Sequence, residues 1–140
     1  MAIPIKGSRR RATRSWQPVS GKIEFRPAAG NLVDVQPLLA RIISALGTNA
    51  AARLLSADRA QISRWNANKE LISAEMGRRI VDLHDILTRA LRIYSPEAAS
   101  LWLVGSEPLL GGARPIDVLV LEGAAPVIRA IDGISQGAYA

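Results

Sequence analysis

The stretch AARLLSADRAQISRWNANKELIS, residues 51–73, carries two short helical patterns with a tight turn at Ser56 between them. Asp58 follows the turn and is a good N-cap for a helix over residues 59–67. Its carboxylate is expected to accept a hydrogen bond from the Gln61 amide, while the Gln61 side chain reaches back, as in a capping box. The stretch therefore predicts a helix, a tight turn and a second helix.

The second helix has an apolar inner side, formed by Ile62 and Trp65, and polar residues elsewhere. This arrangement indicates a helix-turn-helix, and the stretch resembles the Xre/Cro class of that motif. In that class the helix enters the major groove, where Arg can fork onto guanine and Gln onto adenine. The resemblance implies base-reading positions at Arg59, Ala60, Gln61 and Arg64. Candidates for phosphate contacts are Ser63, Asn66 and Lys69.

The stretch departs from the Xre/Cro pattern at two positions. Asn68 stands where glycine is usual, and Ile72 stands where proline is common. Asn tolerates the left-handed backbone that glycine would adopt, so the first departure is mild. The alternative interpretation is a helix that serves only as core scaffold in a protein without affinity for DNA.

Apolar residues recur at helical spacing before and after the motif. One face of a preceding helix, which ends at Gly47, consists of Val35, Leu38, Leu39, Ile42, Ile43 and Leu46. Thr48 is the expected cap of the next helix, and Ser73 is the expected cap of a long helix that reaches about Tyr94. The seam of this long helix consists of Met76, Ile80, Leu83, Leu87, Ala90 and Tyr94. A second stripe, Val81, Ile86 and Ile93, lies off that seam and predicts contact on a second side, including pairing with a second copy of the chain.

The run LLGGARPIDVLVLEGAAPVIRAIDGISQGAYA, residues 109–140, begins with two glycines that permit a sharp turn. Pro115 suits the first position of a helix, and the Asp117 carboxylate then lies in the first turn, near the positive end of the helix dipole. Gly123 is expected to close this helix in the left-handed conformation, and Pro126 to begin the next one.

The same run resembles the toxin-binding domain of the MbcA/ParS/Xre antitoxin family. The residues that carry the resemblance are Gly111, Gly112, Arg114, Pro115 and Asp117, followed by Asp132, Ile134, Gly137 and Ala140. The match covers roughly residues 38–140. It implies an antitoxin that binds operator DNA through its Xre-like part and a cognate toxin through its C-terminal domain. The common toxins of this family carry a RES domain and degrade NAD.

The resemblance also implies which residues meet the toxin, because the C-terminal end of such antitoxins reaches over the toxin's active site. On this chain the corresponding positions are Gly133, Ser135, Gln136, Gly137, Tyr139 and Ala140. Arg114 and Asp117 either shape the domain behind this end or contact the toxin directly.

The charge of the chain is unevenly distributed. The net charge is +6, and residues 1–26 carry seven basic groups against one acidic group, whereas residues 80–140 carry four basic and seven acidic groups. Such asymmetry suits a protein whose first part meets a polyanion and whose second part meets protein. Residues 1–33 lack a sustained period and predict a flexible basic arm, which either follows DNA or is a solvated tail.

The composition argues against several classes of protein. The chain has no cysteine and one histidine, His84, so we expect no disulfide framework, metal site or catalytic triad, and therefore neither an enzyme nor a cofactor. The sequence contains no apolar run of 18 residues, so no membrane span is predicted. The lack of cysteine fits a reducing cytoplasm.

The predicted architecture is all-α, with a flexible basic arm (1–33), an Xre/Cro-like helix-turn-helix (34–72), a long connecting helix (73–94) and a toxin-binding domain (95–140). The favoured function is that of an antitoxin, which neutralises a NAD-degrading RES-domain toxin and binds operator DNA as a homodimer. The alternative is a stand-alone dimeric Xre-like regulator without a toxin partner. A toxin gene beside this one would favour the first function, and an isolated gene the second.

Overall fold

The computed structural model describes residues 34–137, so the predicted basic arm (1–33) and the last three residues lie outside the described range. Every regular element within residues 34–137 is helical, which confirms the all-α class. The α-helices are α1 (Val35–Leu46), α2 (Thr48–Leu55), α3 (Arg59–Asn66), α4 (Ala74–Ala90), α5 (Pro96–Val104), α6 (Pro115–Glu122) and α7 (Ala124–Ser135). A 3₁₀ turn, Pro108–Leu110, lies between α5 and α6.

The chain divides into two units, Met1–Pro37 and Leu38–Ala140. Only residues 34–37 of the first unit are described, and the second unit contains both predicted functional parts. The boundaries predicted at residues 72 and 94 stay predictions. Within the described residues no single helix is long and apolar enough to cross a membrane, and α1 and α2, bent by 120°, meet that condition only as a pair.

Gly47 separates the first two helices, as predicted. Its φ of 92° is one that other residues rarely adopt, and its amide donates to the Ile43 carbonyl at 2.7 Å. The predicted Thr48 cap is wrong, because Gly47 itself occupies the cap position and its carbonyl accepts from the Ala51 amide at 3.1 Å. Since the backbone of Gly47 already turns the chain, Thr48 is the first helical residue.

The turn into α3 follows the sequence prediction in part. Ser56 adopts the left-handed conformation, and the Asp58 carboxylate accepts from the Gln61 amide at 2.7 Å, which confirms the predicted cap. The reciprocal half of the capping box is wrong. In a capping box the Gln61 side-chain oxygen would accept from the Asp58 amide, whereas here the Gln61 Nε2 donates to the charged Glu70 carboxylate at 3.2 Å.

Helix α4 is the central helix of the second unit, and it packs against α2, α6 and α7. Ser73 caps it as predicted, and Ile80, Leu83 and Ile86 are completely buried. Ile86 belongs to the second apolar stripe, so the chain itself covers part of the surface that suggested a second copy. The helix ends at Ala90 rather than near Tyr94.

The early end of α4 has a local cause. Ser95 has an extended backbone, caps α5 through the Ala98 amide and precedes Pro96, which disfavours a helical residue before it. The chain must therefore leave α4 before Ser95. Residues 91–94 form a turn, in which the Tyr94 amide still donates to the Ala90 carbonyl at 2.8 Å.

Helices α6 and α7 share a single residue as their junction. Pro115 is the first residue of α6, as predicted. Gly123 ends α6 with φ 90° and ψ −174°, so its φ is positive but it does not adopt the left-handed helical conformation that was predicted. It also caps α7, so α7 begins at Ala124 and Pro126 lies within its first turn rather than at its start. Proline is tolerated there because the amides of the first turn have no partner within the helix.

Candidate functional site

The predicted nucleic-acid face lies on α3 and in the turn that follows it. Ile62 and Trp65 are buried, with 0% and 4% of their surface exposed, so they anchor the helix as predicted. All seven predicted contact residues are exposed or half-buried: Arg59, Ala60, Gln61, Ser63, Arg64, Asn66 and Lys69. The structure therefore keeps each of these side chains accessible to a ligand.

Glu70 binds three side chains of α3, and the sequence pattern did not indicate it. One carboxylate oxygen accepts from the Arg64 Nε at 2.7 Å. The other accepts from the Trp65 Nε1 at 3.1 Å and from the Gln61 Nε2 at 3.2 Å. We call Gln61, Arg64, Trp65 and Glu70 the Glu70 cluster. It brings together two of the predicted base-reading residues, Gln61 and Arg64.

The Glu70 cluster is built around an ionised carboxylate. The hydrogen bond from Arg64 lowers the pKa of Glu70, with a smaller contribution from Gln61, and the bond to Glu70 raises the pKa of Arg64. Both groups are therefore charged at neutral pH. An ionised carboxylate can only accept hydrogen bonds, so it fixes the direction of every N–H group that meets it.

The turn that follows α3 is hydrogen-bonded back to the end of that helix. Asn68 has a φ of 59°, so the sequence prediction that this residue replaces a left-handed glycine is confirmed. Its amide donates to the Trp65 carbonyl at 3.1 Å, and the Lys69 amide donates to the Arg64 carbonyl at 2.8 Å. These bonds place Glu70 where its side chain reaches α3.

In the C-terminal part of the chain, Arg114 and Asp117 bind each other. The Arg114 Nε and a terminal nitrogen donate to the two Asp117 oxygens at 2.8 and 2.9 Å. The bond lowers the pKa of Asp117 and raises that of Arg114. Both side chains are 51% exposed, so the pair shapes the first turn of α6 while it stays accessible.

A buried carboxylate organises the loop that precedes this pair. Glu107 is 3% exposed, and it accepts from the Trp102 Nε1 at 2.8 Å and from the Leu109 amide at 2.6 Å. Its backbone carbonyl accepts from the Gly112 amide at 2.9 Å. We call Trp102, Glu107, Leu109 and Gly112 the Glu107 cluster. Trp102 is half-buried and bonded within this cluster, so it belongs to the structure of the C-terminal part.

Asp132 joins α7 to α4. Both of its oxygens accept from one terminal nitrogen of Arg89 at 3.1 Å, and the Arg89 Nε also donates to Asp85 at 3.3 Å. The bond to Asp132 is the larger cause of the raised pKa of Arg89. The i,i+4 spacing of Asp85 and Arg89 alone would suggest an exposed pair within one helix, whereas Arg89 links two helices.

The predicted toxin-binding tail follows directly after this link. Gly133 is half-buried, and Ser135, Gln136 and Gly137 are exposed. Gly137 has a φ of 83° and its amide donates to the Ile134 carbonyl at 3.0 Å, just after the end of α7. The remaining predicted tail residues, Tyr139 and Ala140, lie outside the described range. Within residues 34–137, no hydrogen bond or ion pair links the Arg114–Asp117 pair to the tail.

The titratable groups do not assemble into a metal site in the part of the chain that the structure describes. Among residues 34–137, no three His, Asp or Glu side chains form a group that could hold a metal ion.

Known proteins resemble this chain in fold and in sequence. One chain of the crystal structure of the M. tuberculosis MbcT–MbcA toxin–antitoxin complex superposes with a TM-score of 0.64 over 77% of this chain and 100% of that chain, at 18% sequence identity. The sequence is 31% identical over 115 residues to the "Prs ADP-ribosylating antitoxin" of Sphingobium sp. (strain YBL2), which covers 73% of this chain and 72% of the relative. The chain belongs to the MbcA/ParS/Xre antitoxin family.

As an antitoxin, the chain is the non-enzymatic member of a toxin–antitoxin pair. No protein-family profile matches its sequence. The residues that carried the family resemblance have definite places in this antitoxin. Gly111 and Gly112 have positive φ values of 66° and 88°, Pro115 begins α6, and Asp132 joins α7 to α4.

Proposed function

We propose that this antitoxin neutralises a RES-domain toxin that consumes NAD, and that its C-terminal end covers the toxin's active site. The observation that carries the proposal is the placement of the tail. Asp132 is bonded to Arg89 on α4, and the chain leaves α7 after Ser135 through the exposed Gln136 and Gly137. A fixed helix end followed by a glycine with positive φ suits a segment that enters a partner's cleft.

The chemistry of the toxin is inferred from the family resemblance and from the name of the Sphingobium relative, which refers to ADP-ribosylation. ADP-ribosyl transfer breaks the bond between nicotinamide and ribose in NAD, and hydrolysis of NAD breaks the same bond with water as the acceptor. The common requirement is a cleft that holds an anionic dinucleotide. Tyr139 provides an aromatic ring that suits such a cleft.

We also propose that the antitoxin acts in the cytoplasm as a homodimer that binds operator DNA through α3. Residues 41–79, which include α3, carry seven basic and three acidic groups. Excess positive charge favours binding to the phosphate backbone. A dimer would match the two-fold symmetry of operators read by helix-turn-helix proteins. Val81 and Ile93 are the members of the second α4 stripe that keep exposed surface for such a contact.

Removal of the tail tests the neutralisation. A RES-domain protein encoded beside the antitoxin gene is expressed in cells together with either the full chain or a variant that lacks residues 136–140. We expect the truncated variant to fold and to bind operator DNA like the full chain, because residues 136 and 137 are exposed and α7 is complete without them. It should fail to restore growth and NAD levels.

A length-matched control replaces residues 136–140 with a Gly-Ser sequence. This control should fail as the truncation does, since the tail acts through its side chains. Full rescue of growth and NAD by the truncated variant would show that another surface inhibits the toxin. If NAD falls only when protein acceptors become ADP-ribosylated, the toxin is a transferase rather than a hydrolase.

A further inference from the structure

Glu70 restricts how α3 can present its polar side chains. Trp65 is 4% exposed, so its indole N–H is a fixed donor, and it holds one oxygen of the Glu70 carboxylate. Glu70 is thereby tied to the core of the helix-turn-helix, although its side chain is 33% exposed. Gln61 and Arg64 bind a carboxylate that has little freedom to move with them.

The Gln61 amide can face this carboxylate in one orientation only. The carboxylate is ionised and cannot donate, so the Gln61 nitrogen must point toward it at 3.2 Å. The amide oxygen then points away and is an acceptor for a ligand. In the major groove, the donors that such an acceptor can meet are the amino groups of adenine and cytosine.

Arg64 is restricted in a complementary way. Glu70 takes its Nε at 2.7 Å, and the two terminal nitrogens make no hydrogen bond within residues 34–137. When a guanidinium is bonded through its Nε, its two terminal nitrogens can still donate side by side to a ligand. That fork matches the O6 and N7 acceptors of guanine.

We infer that Glu70 is a specificity-determining positioning residue for duplex DNA, which presents Arg64 to a guanine and the Gln61 oxygen to the amino group of an adenine or a cytosine. The inference rests on the proposed binding of operator DNA by α3. Glu70 does not itself contact the base in this scheme. It acts through the two side chains that it orients.

Three variants separate positioning from the effect of charge. Glu70→Gln removes the charge and lets the Gln61 amide turn over. Glu70→Asp keeps the charge but shortens the reach to Arg64 and Gln61. The matched control is Glu75→Gln, which removes an exposed carboxylate that pairs with Arg79 on α4. Affinity for a duplex from the region upstream of the chain's own gene and for a random duplex of equal length is measured over a range of salt concentrations.

The preference for operator over random duplex should fall about 5- to 150-fold in both Glu70→Gln and Glu70→Asp, the range expected when a bidentate base contact is lost. Glu75→Gln should keep the wild-type preference. Glu70→Gln should bind random duplex at least as tightly as wild type, because an acidic group near the phosphates has been removed.

Two results would overturn the inference. An unchanged preference in Glu70→Asp would show that the reach of the carboxylate to Gln61 and Arg64 does not set the preference. Equal gains of Glu70→Gln on both duplexes would show that Glu70 merely repels phosphate. A wild-type protein that does not distinguish the two duplexes would instead remove the proposed DNA function.

The cluster can also be tested without DNA or substitution at Glu70. The Arg64 Nε–H resonance of the free wild-type protein should exchange slowly with solvent and shift downfield relative to that of Arg59, for which no bond to a side chain is described. Rapid exchange of both resonances would show that Glu70 does not hold Arg64 in solution and would overturn the inference.

Discussion

Two hydrogen-bonded tryptophan–glutamate pairs with the same sequence spacing lie in different surroundings in this antitoxin. In the Glu70 cluster, Trp65 donates its indole N–H to a glutamate five residues later at 3.1 Å. In the Glu107 cluster, Trp102 does the same at 2.8 Å. Both tryptophans end or nearly end a short helix, and both glutamates lie in the loop that follows.

The difference lies in exposure and in the other bonds of each carboxylate. The Glu107 carboxylate is buried and accepts a hydrogen bond from the Leu109 backbone amide, so it closes a loop. The Glu70 side chain is one-third exposed, and its carboxylate accepts hydrogen bonds from the polar side chains of Gln61 and Arg64 near the surface. The same tryptophan–glutamate bond therefore closes a loop where water is excluded, and holds exposed polar side chains of α3 where water has access.

The largest expected effect is on folding, at Glu107. Glu107→Ala leaves two donors, the Trp102 indole and the Leu109 amide, without their acceptor. We expect the free energy of unfolding to fall by about 2–5 kcal/mol. Urea denaturation followed by circular dichroism measures this loss. Glu70→Ala should lose much less, because water can replace a partly exposed carboxylate.

The control for this comparison is Glu122→Ala, which removes an exposed glutamate at the end of α6. It should change stability by no more than about 0.5 kcal/mol. If Glu70→Ala costs as much as Glu107→Ala, the two clusters are equally structural and the distinction between them fails.

A smaller effect is expected at the turn that positions Glu70. Asn68→Val forces a β-branched residue into a backbone with φ 59°, and this should cost roughly 1–2 kcal/mol of stability. It should also reduce operator preference, because the turn carries Glu70. Asn68→Gly suits the same φ and should preserve both properties. Equal melting temperatures for the Val and Gly variants would contradict the role given to this turn.

The smallest effect concerns pH, and it should leave the Glu70 cluster untouched. Burial lowers the pKa of His84 on α4, with a further contribution from Arg41 and opposition from Asp85. The unfolded chain therefore binds a proton more readily than the folded one. His84 contributes stability above its ordinary value of about 6.5, and this contribution is lost as the pH falls through its lowered value.

His84→Gln should therefore flatten the loss of stability between about pH 7 and 5. The Glu70 cluster should not titrate in this window, since the pKa of Glu70 is lowered from a value that is already acidic. Thermal melts at several pH values give the comparison. A His84→Gln variant with an unchanged pH profile would assign the acid sensitivity to other groups.

Much of the helical framework could be predicted from local sequence. Small polar residues that precede apolar periodic segments are typical N-caps. Three helices begin in this way, with caps at Asp58, Ser73 and Ser95. Pro115 begins α6 because its ring suits a first helical position. The boundaries at Thr48 and Pro126 were missed because a glycine with positive φ took the cap position before each of them.

The interactions of the candidate sites were much less predictable. Glu70 bonds to residues five, six and nine positions before it, and Asp132 bonds to a residue 43 positions away. None of these spacings follows the helical period of three or four, so no periodic pattern reveals them. The capping-box pattern at Gln61 was misleading because its side chain donates to the charged Glu70 carboxylate, which only the folded turn brings within reach.

The central claim is that the C-terminal end of this antitoxin blocks an NAD-consuming toxin. Release of nicotinamide from NAD by the purified toxin tests it most directly, with increasing amounts of full-length antitoxin or of the variant that lacks residues 136–140. Full-length antitoxin should abolish the release at stoichiometric amounts, whereas the truncated variant should leave it near the rate of the free toxin. Equal inhibition by the two proteins, or a toxin that releases no nicotinamide, would contradict the claim.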